Sequence, residues 1–338
     1  VNALSFYAIM VLHILLNMSF AYSQTAWMFK SYMLIAKEMV DIKAGSEEYI
    51  KNDVNIEKQI EYKKENKRIK VLAIGNSFSQ DASKYLHDIA DAGGIDLTVA
   101  NLYIGGCTLE THWHNASRDL QEYDYELNGE PTGRKVSIKE ALESDEWNYV
   151  TFQQASHDSG LEDTYYPYIE ELAKYVNQIR PEAELLIHQT WAYEKGSDHP
   201  GFKNYNFNQD VMFKKLKSAY HNASVRLGLL TLEDEIEIST DKKPVKIIPS
   251  GQAMQNARAF PEFDTTYNDS AQKKLIRDGF HASLTYGRYL LGAVWYECLT
   301  GKKIADNSFS PEGISQNDLA LLKKAAHHAV EEYGWNVE

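Results

Sequence analysis

Cysteine is scarce: Cys107 and Cys298 are the only two in 338 residues. Two thiols cannot staple a chain this long, and a bridge between them needs a fold that brings distant positions together. Both read as buried small residues. No C-x-x-C pair and no Cys/His spacing of a structural zinc site occurs. Positive charge is also short. The 35 Lys and Arg face 48 Asp and Glu, leaving a net charge of −13, and the one basic stretch is the short run Lys63–Lys70. Such a surface repels phosphate backbones and anionic headgroups, which argues against a nucleic-acid partner or a membrane-surface role. No glycine-rich phosphate loop of the P-loop or dinucleotide type is found, so no nucleotide or redox cofactor is expected. Internal repeats and low-complexity tracts are missing as well. What is there is a chain 43% apolar and 25% charged, ordinary values for a globular protein with a sizeable core.

Ser5 to Phe20 is almost entirely apolar, about the length of a signal h-region and somewhat short for a membrane span. Ala21-Tyr22-Ser23 puts small residues where a signal peptidase reads, so residues 1–23 are expected to be a signal peptide cleaved after Ser23. No basic residues precede the run and the chain opens on Val1, so the natural start is expected upstream. No cysteine stands directly after it, which argues against a lipoprotein anchor. A secreted or periplasmic protein without stable membrane association is the expectation. A core helix or an uncleaved anchor is the alternative for this run. Residues 24–66 read as a linker or surface helix, with an apolar face over Thr25–Val40 and dense charge from Lys43 onward.

From Arg68 the pattern alternates strand and helix, and residues 67–338 read as one domain. Strands are predicted at Ile69–Ile74, Leu97–Leu102, Tyr149–Phe152, Leu185–His188 and Val245–Ile248. Helices are predicted at Gln80–Ala92, Tyr165–Ile179, Asp210–Leu227, Ser283–Leu299 and Leu319–Tyr333, with stops at Gly93-Gly94, Pro181 and Gly301. Short apolar strands separated by helices imply an α/β fold, a five-stranded parallel sheet covered on both faces. Active sites of such sheets lie at the carboxyl ends of the strands.

The segments at those strand ends are therefore the places to look for chemistry. After the first strand comes Gly75-Asn76-Ser77. A small residue before a serine at a strand-to-helix turn exposes the hydroxyl, and the helix N-terminus favours a developing negative charge there. A plain turn and helix cap would look the same. After the second comes Gly105-Gly106-Cys107, where paired glycines let an amide face a cleft. After the third comes Gln153-Gln154-Ala155-Ser156-His157, whose amide side chains could donate to an oxyanion. Near the end stands Asp278-Gly279-Phe280-His281, a spacing that lets the carboxylate meet the imidazole and fix its tautomer.

In this order the segments resemble the SGNH (GDSL-like) hydrolase superfamily, and the wording is similar to a bacterial branch of largely uncharacterised domains. "LAIGNSFSQDA", "LYIGGCTLETH", "FQQASHDSG" and "DGFHASLTYGRYLLGAVWYECLTG" carry the resemblance, over about residues 68–304. It implies a three-layer, flavodoxin-like α/β/α fold, a Ser77–His281–Asp278 triad, and an oxyanion hole of the Ser77 and Gly106 amides. Asn76 stands where the family has aspartate. The third block should supply a glycine and an asparagine; here Gln153-Gln154-Ala155-Ser156 looks closer to sialate O-acetylesterase-like relatives, so Gln153 or Gln154 is expected to complete the hole. The implied activity is hydrolysis of short acyl, chiefly acetyl, esters on carbohydrates, without a cofactor or metal. A lipid esterase or thioesterase with the same triad is the nearer alternative. A glycan-binding protein on a weakened scaffold is the farther one, motivated by the altered third block.

Other residues weigh less. Trp191 and Tyr193 come after the fourth strand, where aromatic rings would suit a sugar face or plain packing. Asn76 and His157 could line the cleft. His112 and His114 would need a strand or a special loop to converge on a metal, and no metal is expected. Tyr286, Leu290 and Val294 read as a helix core stripe, and His327-His328 as solvent-facing.

Overall fold

The computed structural model describes residues 68–230, 243–264 and 273–338. The expected signal peptide and the linker at residues 24–66 lie outside the described residues. Arg68 onward falls within a single compact unit, Asn66–Glu338.

The described residues form one seven-stranded sheet of order β4-β3-β2-β1-β5-β6-β7. Five strands are parallel: β1 (Ile69–Gly75), β2 (Leu97–Tyr103), β5 (Tyr149–Phe152), β6 (Glu184–His188) and β7 (Ile247–Ile248). Their centres are apolar without alternation, as strands covered on both faces must be: Val71 to Ile74 are fully buried, and Ile74 pairs with Leu102 on one side and Phe152 on the other. These are the five strands predicted. The count of five is nevertheless a miss, because a hairpin, β3 (Tyr123–Leu127) and β4 (Glu130–Val136), extends the β2 edge antiparallel. Its strands are polar and mostly exposed, so they carry no apolar run. Asn128 and Gly129 turn the hairpin with φ of 50° and 78°, the left-handed pair that such a turn requires.

Nine α-helices lie among the described residues: α1 (Ser77–Ser83), α2 (Leu86–Ala92), α3 (Leu109–Ala116), α4 (Ile138–Glu143), α5 (Tyr168–Ile179), α6 (Gln209–Leu229), α7 (Ser250–Arg258), α8 (Tyr286–Thr300) and α9 (Gln316–Glu332). Contacts sort them into two layers. On one face α8 packs against α1, α2, α7 and α9; on the other α3, α4, α5 and α6 pack in sequence. The stripe expected on α8 is too narrow a description. Twelve of its fifteen residues are buried, so it is a helix apolar all round at the centre of its layer. The predicted helix Gln80–Ala92 is two helices, and the first begins at Ser77 itself. β2 and β5 flank β1 on opposite sides, so the chain reverses its order of addition at β1. The residues after β1 therefore open on the crevice at the switch point of the sheet.

Candidate active site

Ser77 is the first residue of α1, and Asn76 caps that helix from an extended backbone, accepting the Phe78 amide at 3.0 Å. The Asn76 amide group also donates to the Cys107 carbonyl at 3.0 Å, tying the end of β1 to the loop after β2. Gly75 is needed for space. A Cβ there would lie 2.3 Å from Ser79 Oγ, 2.9 Å from Ser79 Cβ and 3.1 Å from Gln153 Cδ. The glycine before the nucleophile therefore serves close packing of α1 onto its own strand.

The Asp278–His281 segment, which lies between α7 and α8, reaches Ser77. Asp278 Oδ1 accepts the His281 amide at 2.8 Å, and Oδ2 lies 2.7 Å from His281 Nδ1. A carboxylate can only accept, so Nδ1 carries the proton and Nε2 is left as an acceptor. Nε2 is 2.8 Å from Ser77 Oγ, whose hydroxyl donates to it. Burial works against charge on Asp278, but the His281 ring N–H and the amides of His281 and Phe280 outweigh it, and the carboxyl sits below its ordinary value. Gly279 has φ of +89°, and a Cβ there would meet Ser197 Oγ at 2.7 Å, so this turn both bends left-handed and lies tight against its neighbour.

Ser77 and Gly106, whose amides are the expected oxyanion donors, both line the pocket. Ser77 N belongs to the first residue of a helix and has no acceptor within it. Gly106, at φ of +64°, sits in the turn closed by Cys107 N to Ile104 O, and both Gly105 and Gly106 line the same pocket as Ser77. The two glutamines do not join them. Gln154 is fully buried; its nitrogen donates to Thr164 at 2.9 and 3.0 Å and its oxygen accepts from Leu109 N and Ala155 N. Gln153 donates to Asn76 Oδ1 at 2.6 Å and accepts from His188 Nδ1 at 2.5 Å; His188 Nε2 in turn meets Ser250 Oγ at 3.0 Å. Asn76, Gln153, His188 and Ser250 thus form a buried polar row across the ends of β1, β5, β6 and β7. Burial pushes the His188 imidazole down to about 3, so it is neutral. The expectation that Gln153 or Gln154 aims at the oxyanion is not met: their side chains fasten the scaffold that holds Asn76.

Trp191 and Tyr193 are also scaffold rather than cleft. Both are fully buried; Trp191 stacks on Phe78 at 4.1 Å and donates to the Phe280 carbonyl at 2.8 Å, while Tyr193 OH meets Ser156 Oγ at 2.8 Å. They brace the loop that carries His281, as does Glu194 N, which donates to Gly279 O at 2.8 Å. His157 does line the pocket, together with Asn76, Tyr103, Ser156, Phe280 and a residue that no sequence motif singles out, His199. Burial first, then the charges of His157 and His281, lowers the His199 imidazole below its ordinary value. Its Nδ1 accepts the Gly201 amide at 3.0 Å, which places the proton of the neutral ring on Nε2. The pocket encloses about 190 Å³.

His112 and His114 lie on α3 and part ways: His112 is buried against Tyr123 OH at 2.9 Å, and His114 is exposed and meets Arg118 at 2.9 Å. Among the described residues no group of three His, Cys, Asp or Glu is arranged to hold a metal ion. Both cysteines are free and buried, and burial raises the Cys107 thiol to about 12. His327 is not simply solvent-facing; it pairs with the buried Glu297 at 3.1 Å, while His328 is exposed.

The sequence matches the family described as "Domain of unknown function (DUF4886)" over residues 70–329. A crystal structure of a DUF4886 family protein from Bacteroides uniformis is 38% identical, covering 80% of this chain and 97% of that one, with a TM-score of 0.68. A putative SGNH hydrolase from Slackia heliotrinireducens is 19% identical over 68% of this chain and 98% of its own, with a TM-score of 0.44. An acetylxylan esterase from Geobacillus stearothermophilus, solved as a catalytic mutant, is 12% identical over 67% and 92%, with a TM-score of 0.39. Likenesses this distant say nothing of chemistry. No curated protein matches the chain.

Proposed function

This chain belongs to the DUF4886 family, and from that premise we propose that it is a serine esterase of the SGNH type, removing short acyl groups, acetyl foremost, from carbohydrates. One observation carries the reading: Ser77 Oγ, the His281 ring and Asp278 Oδ2 stand in one hydrogen-bonded line of 2.8 and 2.7 Å. His281 Nε2 takes the hydroxyl proton as Ser77 Oγ attacks the ester carbonyl. Asp278 holds the ring in the required tautomer and stabilises the imidazolium. The Ser77 and Gly106 amides donate to the oxyanion. His281 then protonates the departing alcohol, and water releases the acyl group by the same steps in reverse order of groups.

The pocket supports a short acyl group. At about 190 Å³ it is smaller than sites that enclose a whole drug-sized ligand, roughly 300–1,000 Å³. Tyr103, Ser156, His157 and His199 put hydroxyl and imidazole groups on its walls, which suits a polyol as the alcohol. Among the described residues, no broad apolar walls of the kind a lipid esterase needs surround Ser77. Export forms part of the proposal. It rests on the Ser5–Phe20 run, and Edman sequencing of the mature protein beginning at Gln24 would support it. Among the described residues no helix is long and apolar enough to cross a membrane.

The test is hydrolysis of 4-nitrophenyl acetate, butyrate and octanoate by wild type and by an equally folded Ser77→Ala. Acetate turnover that falls with chain length and vanishes in the variant is expected. Equal turnover in both proteins would remove Ser77 from the reaction.

A further inference from the structure

Behind the Ser77–His281–Asp278 line lies a second carboxylate that the proposed chemistry does not use. Asp81 stands one turn of α1 beyond Ser77 and is fully buried. Arg277 Nη1 donates to both of its oxygens at 3.0 and 2.9 Å, Arg288 Nε donates to Oδ1 at 2.8 Å, and the Ala282 amide donates to Oδ2 at 3.0 Å. Arg277 and Ala282 are the residues on either side of the Asp278–His281 segment. They close it into a hairpin: Arg277 N donates to His281 O at 3.0 Å, and Ile276 bridges Ala282. Asp81 therefore grips both stems of the loop that carries the base, from the helix that carries the nucleophile.

Arg277 has a second carboxylate within reach. Its Nε is 3.9 Å from Asp278 Oδ2, the oxygen that accepts the His281 ring proton. The charges of Asp81, Asp278, Arg277 and Arg288 cancel as a set. Asp81 is 0% exposed at its side chain and Asp278 is 42% exposed, so water screens the Asp278 attraction far more and the guanidinium settles on Asp81.

We propose that Asp81 is a positioning residue: by holding Arg277 and Ala282 it keeps the guanidinium off Asp278 Oδ2, reserves that oxygen for His281, and fixes the reach from His281 to Ser77. The proposal rests on the esterase reading for its kinetic readout but not for its spectroscopic one. The groups that face His281 are Asp278 and Arg277 of its own loop, Ser77 of α1, and His199 across the pocket, with His157 and Asp198 beside it. Only Arg277 changes its place among them when Asp81 is neutralised.

The experiment compares wild type, Asp81→Asn, Arg277→Gln and the double variant. It measures kcat and KM on 4-nitrophenyl acetate, and the titration of the His281 ring by NMR, which needs no turnover. In Asp81→Asn the freed guanidinium turns to Asp278, so kcat falls about 10- to 100-fold at nearly constant KM, in keeping with a misplaced base. The His281 midpoint then moves to lower pH, because a cation has come closer to the ring. In Arg277→Gln, where Arg288 still pairs with Asp81, Asp278 loses its cation and the midpoint moves up. The double variant regains most of the kcat lost in Asp81→Asn, which a merely structural role would not allow. Midpoints that stay put or move the same way in both single variants, or a double variant no better than Asp81→Asn, overturn the proposal. Should Asp81→Asn not fold, the direction of the shift in Arg277→Gln decides alone: upward supports it, unmoved refutes it. A silent kinetic assay in wild type with the expected NMR shifts would sink the esterase reading and leave this one standing.

Discussion

Replacing Gly75 by alanine adds one methyl group at the point where β1 hands over to α1, and the structure sets its cost. The new Cβ would stand 2.3 Å from Ser79 Oγ. Ser79 can move that oxygen only by giving up the one proton it shares between Asn76 O at 2.8 Å and Asn101 Oδ1 at 2.6 Å. One shared hydrogen bond of about 1 kcal/mol is at stake. Ser79 Cβ at 2.9 Å and Gln153 Cδ at 3.1 Å cannot rotate away, so an overpacking cost of about 1–3 kcal/mol comes on top. A loss of about 2–4 kcal/mol is expected, a large share of the roughly 5–15 kcal/mol that holds a domain together. It is read as a lower urea midpoint at unchanged slope. Because the strain falls on the turn that presents Ser77, turnover should fall about 100-fold even where the variant is fully folded. Gly106→Ala is the control. No atom lies within 4 Å of its Cβ, but φ of +64° makes it cost about 1–2 kcal/mol by backbone conformation alone. Gly75→Ala/Ser79→Ala, which removes the clashing oxygen, should recover part of the loss. A Gly75→Ala protein with wild-type midpoint and turnover would refute the packing argument.

The same contacts set other outcomes. Gln153→Ala strands the buried His188 Nδ1–H and removes a donor to Asn76; about 1–3 kcal/mol of stability should go, while kcat falls less than the roughly 10²–10³-fold of a lost oxyanion donor. Asp278→Asn should cost on the order of 10⁴ in kcat through the wrong tautomer. Since the Asp278 carboxyl is held below its ordinary value, the folded state favours its ionised form. That contribution is complete above the ordinary carboxylate range and fades as pH falls through the lowered value, so the melting temperatures of wild type and Asp278→Asn should converge in acid. Iodoacetamide at pH near 8 should leave both cysteines of the native protein unlabelled, because burial raises both thiols, and label them after unfolding.

Much of this architecture was legible in the chain. The five parallel strands are apolar runs because they are covered on both faces, and position rather than composition singled out Ser77, Gly106, Asp278 and His281: each comes after a strand or sits in a glycine turn. The β3–β4 hairpin carries no apolar run, because Tyr123–Leu127 and Glu130–Val136 are polar edge strands; its one mark in the sequence is the turn pair Asn128-Gly129. The break after Ser83 was invisible because both short helices share one apolar face with α8. Gln153 and Gln154 depart from expectation for a different reason. A strand-end amide can turn toward the cleft or along the sheet, and only the partners, His188 and Thr164, decide it. Asp81 carries no local signal at all: its arginines come from positions 277 and 288, which lie 196 and 207 residues away in sequence.

The central claim is that Ser77 is the nucleophile, and a fluorophosphonate probe tests it most directly. Incubated with the folded protein and mapped by peptide mass spectrometry, the probe should add once, on Ser77, and the adduct should disappear in His281→Ala. An unlabelled wild type, or an adduct on any other serine, would contradict the account.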